Sequence, residues 1–141
     1  MIAHHISVFA ENKPGRLEHI TEILAEANIN IRAIKISDLE EFGVVKLLVN
    51  DPDTAYQSLK DHHVSVSKKP IVVVVLDDKP GELHKMLKIL TRQNINVEDA
   101  YGFVMNERGI MVIEVVNVPE VVELLKNSGL HLLSKEEIYS L

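Results

Sequence analysis

Two short stretches of the chain are nearly the same: ENKPGRL at residues 11–17 and DDKPGEL at residues 77–83. They lie 66 positions apart, and each places a lysine, a proline, a glycine and a leucine in the same order. Proline fixes a turn without needing a hydrogen-bond donor, and glycine allows backbone conformations that other residues avoid. Such a loop, occurring twice in a chain of 141 residues, indicates an internal repeat.

The same offset relates the chain well beyond these loops. An Ile-Leu pair recurs at residues 23–24 and 89–90, and an Asn-Ile-Asn triplet recurs at residues 28–30 and 94–96. The matches keep one order and need no gap, which chance does not explain over about 60 residues. The sequence therefore predicts two copies of one unit, at residues 1–68 and 69–141, joined near residues 67–70.

The hydrophobic periods of the first copy predict the order βαββαβ. Leu17, Ile20 and Leu24 recur at helical spacing behind the Pro-Gly loop. Asn28 suits the end of that helix because asparagine tolerates a left-handed backbone, and Asp51 before a proline suits the start of a second helix. Strands are predicted over residues 6–10, 29–37, 43–49 and 64–66.

The second copy repeats this order. Strands are predicted over residues 71–76, 95–105, 109–116 and 131–133, and helices over residues 82–93 and 120–127. Ser134 and Glu137 form a capping-box pattern, which predicts a short C-terminal helix. Each copy thus has the ferredoxin-like plan, an α+β fold with an antiparallel four-stranded sheet and two helices on one face.

A unit of about 65 residues buries only a modest fraction of its surface and is marginally stable alone. The stretch Val72–Val75 is apolar on both faces, so both faces of that strand should be buried. Val112 also stands where the first copy has Lys46. We therefore expect the two units to share burial within the chain, and two chains to form a homodimer.

Composition excludes several kinds of partner. The formal net charge is −6 and only 4% of residues are aromatic, which argues against nucleic acid. No apolar run approaches the roughly 18 residues that cross a bilayer, and the N-terminus lacks the plan of a signal peptide. Without cysteine there are no disulfides, and the cytoplasm is the expected compartment.

The repeated loop joins a strand to a helix start, where backbone N–H groups lack partners and favour anions. A Pro-Gly pair alone often makes only a turn. Here each loop is accompanied by an asparagine, Asn30 or Asn96, at the start of an otherwise apolar strand. An amide side chain both donates and accepts. Loop amides for a carboxylate and side-chain oxygens for an ammonium group suit a free amino acid.

The segments ENKPGRLEHITEILAEANINI and DDKPGELHKMLKILTRQNINV resemble the opening of an ACT domain, a small regulatory module of amino-acid metabolism. The resemblance covers nearly the whole chain, twice. It implies binding of a free L-amino acid at interfaces between paired domains, through the loop and the asparagine that follows it. The candidate ligand-binding residues are Asn12, Lys13, Pro14, Gly15, Arg16, Leu17, Asn30 and Ile31 in the first copy, and Asp78, Pro80, Gly81, Glu82, Leu83 and Asn96 in the second.

The chain departs from the family pattern at two places. Some relatives have a histidine at the end of the first strand, where this chain has Ala10 and Leu76. Asp78 replaces asparagine in the second loop, and its carboxylate would repel a ligand carboxylate nearby. The two sites should therefore differ in affinity.

Three rival functions follow from the same sequence. An enzyme is disfavoured, because no spacing indicates a catalytic centre, a cofactor or a metal site. The seven histidines fit loop or surface positions, including the adjacent pairs at residues 4–5 and 62–63. A regulatory subunit that binds a separate biosynthetic enzyme and confers feedback control is the main alternative. A purely structural dimer with inactive sites is the third.

Overall fold

The protein is described by a computed structural model that covers residues 2–141. The elements of the first copy are β1 (Ala3–Glu11), α1 (Arg16–Glu26), β2 (Ile31–Leu39), β3 (Phe42–Val49) and α2 (Pro52–Asp61). β4 (Ser65–Asp77) follows. The second copy continues with α3 (Glu82–Arg92), β5 (Asp99–Met105), β6 (Arg108–Glu114), α4 (Val118–Asn127), β7 (His131–Leu132) and α5 (Lys135–Tyr139).

The first unit has the strand order β2-β3-β1-β4. β3 pairs antiparallel with both β1 and β2, and the register places Ile6 opposite Leu47. Residues at alternate positions of these strands face α1 and α2, which contribute Ile20, Leu24 and Leu59 to one buried cluster. The amphipathic helices therefore cover one face of this sheet, as the hydrophobic periods predict.

The second unit repeats this plan with the order β5-β6-β4-β7. β4 pairs antiparallel with β6 and β7, and β6 pairs antiparallel with β5. Its core contains Met86 and Leu90 from α3 and Leu125 from α4, packed on Val72 and Val74. The predicted α+β fold with two βαββαβ units is confirmed.

One strand, β4, runs through the predicted junction. The sequence predicts two strands separated by a connection at residues 67–70, but β4 is continuous from Ser65 to Asp77. That prediction was wrong because two lysines and Pro70 resemble a linker. Proline is tolerated in a strand where its missing N–H is not needed by a neighbouring strand. The chain therefore enters its second copy without leaving extended structure.

The chain divides into two compact units that exchange short terminal segments. One contains residues 4–69 and 139–141, and the other contains residues 2–3 and 70–138. In the first, the backbone N–H of His4 donates to the phenol oxygen of Tyr139 at 3.0 Å. Arg32 Nη2 donates to the carbonyl oxygen of Tyr139 at 3.4 Å. The last residues of the chain thus belong to the first unit.

Local capping chemistry fixes several helix ends as the sequence predicts. Asn28 has a left-handed φ of 60° at the end of α1. The N–H of Thr54 donates to Asp51 Oδ1 at 3.1 Å. Ser134 and Glu137 exchange hydrogen bonds of 3.0 and 3.1 Å at the start of α5. Several strand boundaries differ from the prediction: β5 begins at Asp99 rather than at residue 95, and β1 begins at Ala3 rather than at residue 6.

Both faces of β4 are buried in the second unit, as expected. Val72 and Val74 lie on the helix side, and the alternate residues Val73 and Val75 are no more than 8% exposed. Val112 is fully buried. An apolar residue is therefore needed at each of these positions.

Candidate functional site

The loop after β1 is held in place by the β2–β3 hairpin. The backbone N–H of Asn12 donates to the carbonyl of Glu41 at 2.8 Å. Asn12 Nδ2 donates to Asp38 Oδ1 at 2.7 Å and to the carbonyl of Glu40 at 3.3 Å. Because its nitrogen is already used, the side-chain oxygen is the part of Asn12 that is left to accept a hydrogen bond.

Gly15 forms the corner between the loop and α1. Its φ is 90°, in the left-handed region that favours glycine, and a Cβ placed there would meet nothing within 4 Å. Glycine is therefore needed at position 15 for its backbone conformation. Lack of space is not the reason, because the region beside its Cα is open. Pro14 precedes it and is exposed.

The starts of α1 and α3 differ from those of α2 and α4. Asp51 and Asn117 cap α2 and α4 through hydrogen bonds from N–H groups of the first turn. Gly15 and Gly81 begin α1 and α3 without any side-chain cap. Among the hydrogen bonds of residues 2–141, none uses the N–H of Leu17, so this donor is open to solvent or to a ligand.

The charged residues of the first loop form a small ion-pair cluster. Glu11 lies 3.2 Å from Lys13 Nζ and 3.4 Å from Arg16 Nη2. The hydrogen bond from Lys13, followed by the charges of Lys13 and Arg16, lowers the pKa of the Glu11 carboxyl. Lys13 and Arg16 therefore place two cations at the start of α1, beside the carboxylates of Glu11 and Asp38.

A cavity of about 150 Å³ lies beneath the loop on the side of β2 and β3. Asn12, Lys13 and Arg16 line its polar part. Its apolar lining comes from Ala10, Leu17, Ile20, Ile36 and Val45. Ile36 is 55% exposed, so this cavity opens to the outside along the edge strand β2.

The structure does not bring Asn30 to the loop of its own unit. Asn30 precedes Ile31, which pairs with Val49, whereas Asn12 lies beyond the Leu39–Phe42 pair at the other end of the hairpin. At a rise of about 3.3 Å per residue, the length of β2 separates them by roughly 25 Å. Asn30 and the adjacent Ile31 therefore cannot contact a small ligand at the loop of the same unit.

Asn30 is anchored to the end of β3. Its backbone N–H donates to Asn50 Oδ1 at 2.9 Å, and its carbonyl accepts from the Asn50 N–H at 3.1 Å. These bonds use the backbone of Asn30 and leave its exposed side chain available. Asn50 and Asp38 are not among the residues that the sequence predicts for the site, because their contacts with Asn30 and Asn12 depend on the β2–β3 register.

The second loop has the same backbone but different side-chain chemistry. Gly81 has a φ of 89°, and Pro80 and Asp78 are exposed. Glu82, which replaces Arg16, lies 3.1 Å from Lys85 Nζ, and the hydrogen bond from Lys85 lowers the pKa of its carboxyl. Leu83 is 42% exposed. An acidic residue therefore follows Gly81 where the first copy has an arginine.

Two anchors of the first copy are missing from the second. Val104 stands in the place of Asp38, so Asp78 has no carboxylate partner of the kind that holds Asn12. Val116 stands in the place of Asn50, beside Asn96. Asn96 also lies at the opposite end of β5 from the Asp78 loop, because Asp99 pairs with Glu114 while Met105 pairs with Arg108.

The histidines do not assemble a metal site. Across residues 2–141, no group of three or more histidine, aspartate or glutamate side chains is placed to hold a metal ion. The expectation that the histidine pairs lie on loops or the surface was wrong for His5, which is fully buried in β1. Strand alternation places His4 and His5 on opposite faces, as their adjacency requires.

A family profile described as an ACT domain pair matches residues 1–141. The chain belongs to this family. The protein BT0572 of Bacteroides thetaiotaomicron is 38% identical to this ACT domain pair, with a TM-score of 0.94, and the match covers 100% of this chain and 98% of that one.

Solved structures at lower identity share the fold of this ACT domain pair. The ligand-free regulatory subunit of aspartate kinase from Thermus thermophilus is 15% identical, with a TM-score of 0.65 and coverage of 90% of this chain and 93% of that one. The corresponding subunit from Thermus flavus is 17% identical, with a TM-score of 0.61 and coverage of 92% and 94%. No curated protein matches the sequence significantly. None of the helices within residues 2–141 has the length and apolar character needed to cross a membrane.

Proposed function

We propose that this ACT domain pair is a regulatory protein that binds a free amino acid, with the α-carboxylate at the loop of residues 12–17. The observation that supports this proposal most strongly is the lack of a side-chain cap at the starts of α1 and α3. α2 and α4 are capped, whereas α1 and α3 begin at uncapped glycines in both copies. N–H groups that the protein leaves open at a helix start, beside Lys13 and Arg16, favour a carboxylate.

The ammonium group would be held by oxygen acceptors. Asn12 is suited to this role because its Nδ2 is occupied by Asp38 and its Oδ1 remains. The side-chain oxygen of Asn30 would be the second acceptor. Since Asn30 lies at the far end of its own unit, it must come from a different ACT domain than the loop that it serves.

We propose that this second domain is the first copy of a partner chain in a two-fold homodimer. In a two-fold interface each chain gives the other the same residues, so two loops would meet two asparagines in identical sites. The edge strand β2 carries exposed Ile34 and Ile36, which such an interface would bury. The cavity beside Ile36 would then be closed by the partner.

The first copy should bind more tightly than the second. Asp78 would repel a ligand carboxylate, and Glu82 adds a negative charge where the first copy has Arg16. The apolar lining beneath the first loop favours an amino acid with a small apolar side chain. No residue of this site needs to act as an acid, base or nucleophile, which agrees with a binding role in the cytoplasm.

A thermal-shift screen against the twenty amino acids tests the proposal. A ligand at about 100 times its dissociation constant should stabilise the protein by roughly 2.7 kcal/mol. The decarboxylated amine and the deaminated acid of the best amino acid serve as controls, because neither is a zwitterion and neither should stabilise comparably. Failure of all twenty to shift the melting temperature would contradict amino-acid binding.

The alternative is a regulatory subunit whose main partner is an enzyme encoded separately. This alternative is considered because the chain shares its fold with the regulatory subunits of aspartate kinase. A pull-down from native lysate, followed by mass spectrometry, would support it if a biosynthetic enzyme is recovered in stoichiometric amount. Recovery of the protein alone would favour the first proposal.

A further inference from the structure

A second cleft, of about 310 Å³, lies beside the first turn of α1. It is bounded by the end of β1, the start of β3 and the turn that joins α2 to β4. It shares Ala10, Glu11, Arg16 and Ile20 with the cavity under the loop, so the two adjoin, but it contains neither Asn12 nor any residue of β2. Its own lining residues include Phe9, Phe42 and the turn between α2 and β4.

One wall of this cleft is aromatic. Phe9 and Phe42 stack with their ring centroids 5.1 Å apart and an angle of 12° between the rings. They are 47% and 41% exposed, although the chain has only three phenylalanines. Two of the three are thus kept at the surface as one flat apolar patch, which an apolar group of a ligand could cover.

The lining of the cleft also contains four basic residues. They are Arg16, His19, His62 and His63. The acidic residue in the lining is Glu11, whose carboxylate is paired with Lys13 and Arg16. The equivalent positions in the second copy are Glu82, Lys85, Ser128 and Gly129, so three imidazoles gather only in the first copy.

The turn between α2 and β4 carries His62 and His63 and restricts the conformation of both. His63 has a φ of 61°, a left-handed conformation, and the second copy places Gly129 at the same position with a φ of 84°. His62 Nδ1 lies 2.8 Å from the carbonyl of Ser58, which can only accept, so Nδ1 carries the proton. The Nε2 of His62 is then the nitrogen that is left for a ligand.

We propose that this cleft binds a small carboxylate with an apolar body, which packs on Phe9 and Phe42 and places its charge among Arg16 and the three histidines. Charge-assisted hydrogen bonds from imidazolium and guanidinium groups recognise a carboxylate. A metal ion is disfavoured there, because no metal-binding group of side chains is found within residues 2–141. This binding goes beyond the amino-acid site at the loop, because it shares Arg16 with that site but needs neither Asn12 nor Asn30.

The second copy supplies a variant for the test that should fold. In it, Ser128 Oγ donates to the carbonyl of Leu124 at 2.8 Å, the same helix-end bond that His62 makes to Ser58. The double variant His62→Ser, His63→Gly therefore keeps this bond and relieves the left-handed histidine. Its unfolding midpoint should equal or exceed that of the wild type, so a loss of binding would not reflect misfolding.

Benzoate is the probe, and nuclear magnetic resonance titration of the full chain gives its affinity. The double variant should bind benzoate at least about tenfold more weakly, as expected for loss of one charge-assisted hydrogen bond. His131→Ser, at an exposed histidine of the second copy, and Asn30→Ala should both leave benzoate affinity unchanged.

Benzyl alcohol and inorganic phosphate separate the two halves of the proposal. Benzyl alcohol lacks the charge and phosphate lacks the apolar body, so both should bind much more weakly than benzoate. Equal affinity of benzoate for the wild type and the double variant would overturn the site, and so would equal binding of benzyl alcohol. Phosphate binding as tight as that of benzoate would contradict the role of the aromatic wall.

Discussion

Single side chains explain why the two loops, alike in backbone, differ in chemistry. Asn12 is held by Asp38, and the second copy has lost both members of this pair, with Asp78 and Val104 in their places. Had the second copy changed only one member, an unpaired group or a repulsion would remain in the loop. The paired change keeps the loop and alters what it can bind.

Asp38→Val, which copies the residue of the second unit, tests this anchor. The variant loses two hydrogen bonds to the Asp38 carboxylate, from Asn12 Nδ2 and from the Glu40 N–H, and should lower the free energy of unfolding by about 1–3 kcal/mol in a urea titration. Glu41→Gln is the matched control, since only the backbone carbonyl of Glu41 bonds to Asn12. Equal stability of Asp38→Val and the wild type would show that the contact does not hold the loop.

The sequence predicts the chemistry of individual residues better than their partners. The positive φ of Asn28 and the cap by Asp51 depend on neighbours within four positions, so they could be read directly. The contact of Asn12 with Asp38, 26 positions away, depends on strand register, which the sequence does not specify. The large distance between Asn12 and Asn30 also depends on strand register, so the sequence does not predict it.

At the scale of elements, local capping fixes the helices. Hydrogen bonds from Ser134 lower the pKa of the Glu137 carboxyl below its ordinary value of 4.5. A pKa lowered by folding means that the charged carboxylate stabilises the protein at pH values above 4.5. This stabilisation is lost as the pH falls through the lower pKa of the folded state.

Glu137→Gln should therefore be less stable than the wild type at pH 7, and the difference should shrink toward pH 3. Urea titrations at several pH values measure it. Glu123→Gln, at an exposed residue of α4, is the control and should show no such trend. A difference that stays constant from pH 7 to pH 3 would contradict the charged cap.

Strands are less well predicted than helices, and β4 shows the reason. Lys68, Lys69 and Pro70 have the composition of a linker, yet pairing with neighbouring strands keeps them extended. Conversely, residues 95–98 have an apolar alternation typical of a strand but lie outside β5. Pairing between distant segments decides both cases, and it overrides local preference.

At the scale of the whole molecule, the second sheet is buried on both of its faces at Val73 and Val112. Val73→Lys or Val112→Lys would place an unpaired charge in a buried position and should cost more than about 3 kcal/mol. Val104→Lys, at a residue that is 62% exposed, is the control. Unchanged melting and sedimentation of both buried variants would contradict burial of the second sheet on both faces.

We propose that residues 1–68 and 69–141 are the two ACT domains but do not fold independently. A fragment of residues 1–68 lacks the hydrogen bonds that Tyr139 makes to His4 and Arg32. It should be insoluble, associate, or unfold at much lower urea concentration than the whole chain. A stable monomeric fragment, measured by sedimentation and urea titration, would count against this dependence.

The most direct measurement is a calorimetric titration of the wild type, Asn30→Ala and Asn96→Ala with the best amino acid from the screen. Asn30→Ala should remove a charge-assisted hydrogen bond of about 1.5–3 kcal/mol and weaken binding on the order of tenfold to a hundredfold. Asn96→Ala should weaken it less, because Asp78 makes the second loop a poorer site. Equal affinity of the wild type and Asn30→Ala would contradict the assignment, and a larger loss in Asn96→Ala would move the site to the second copy.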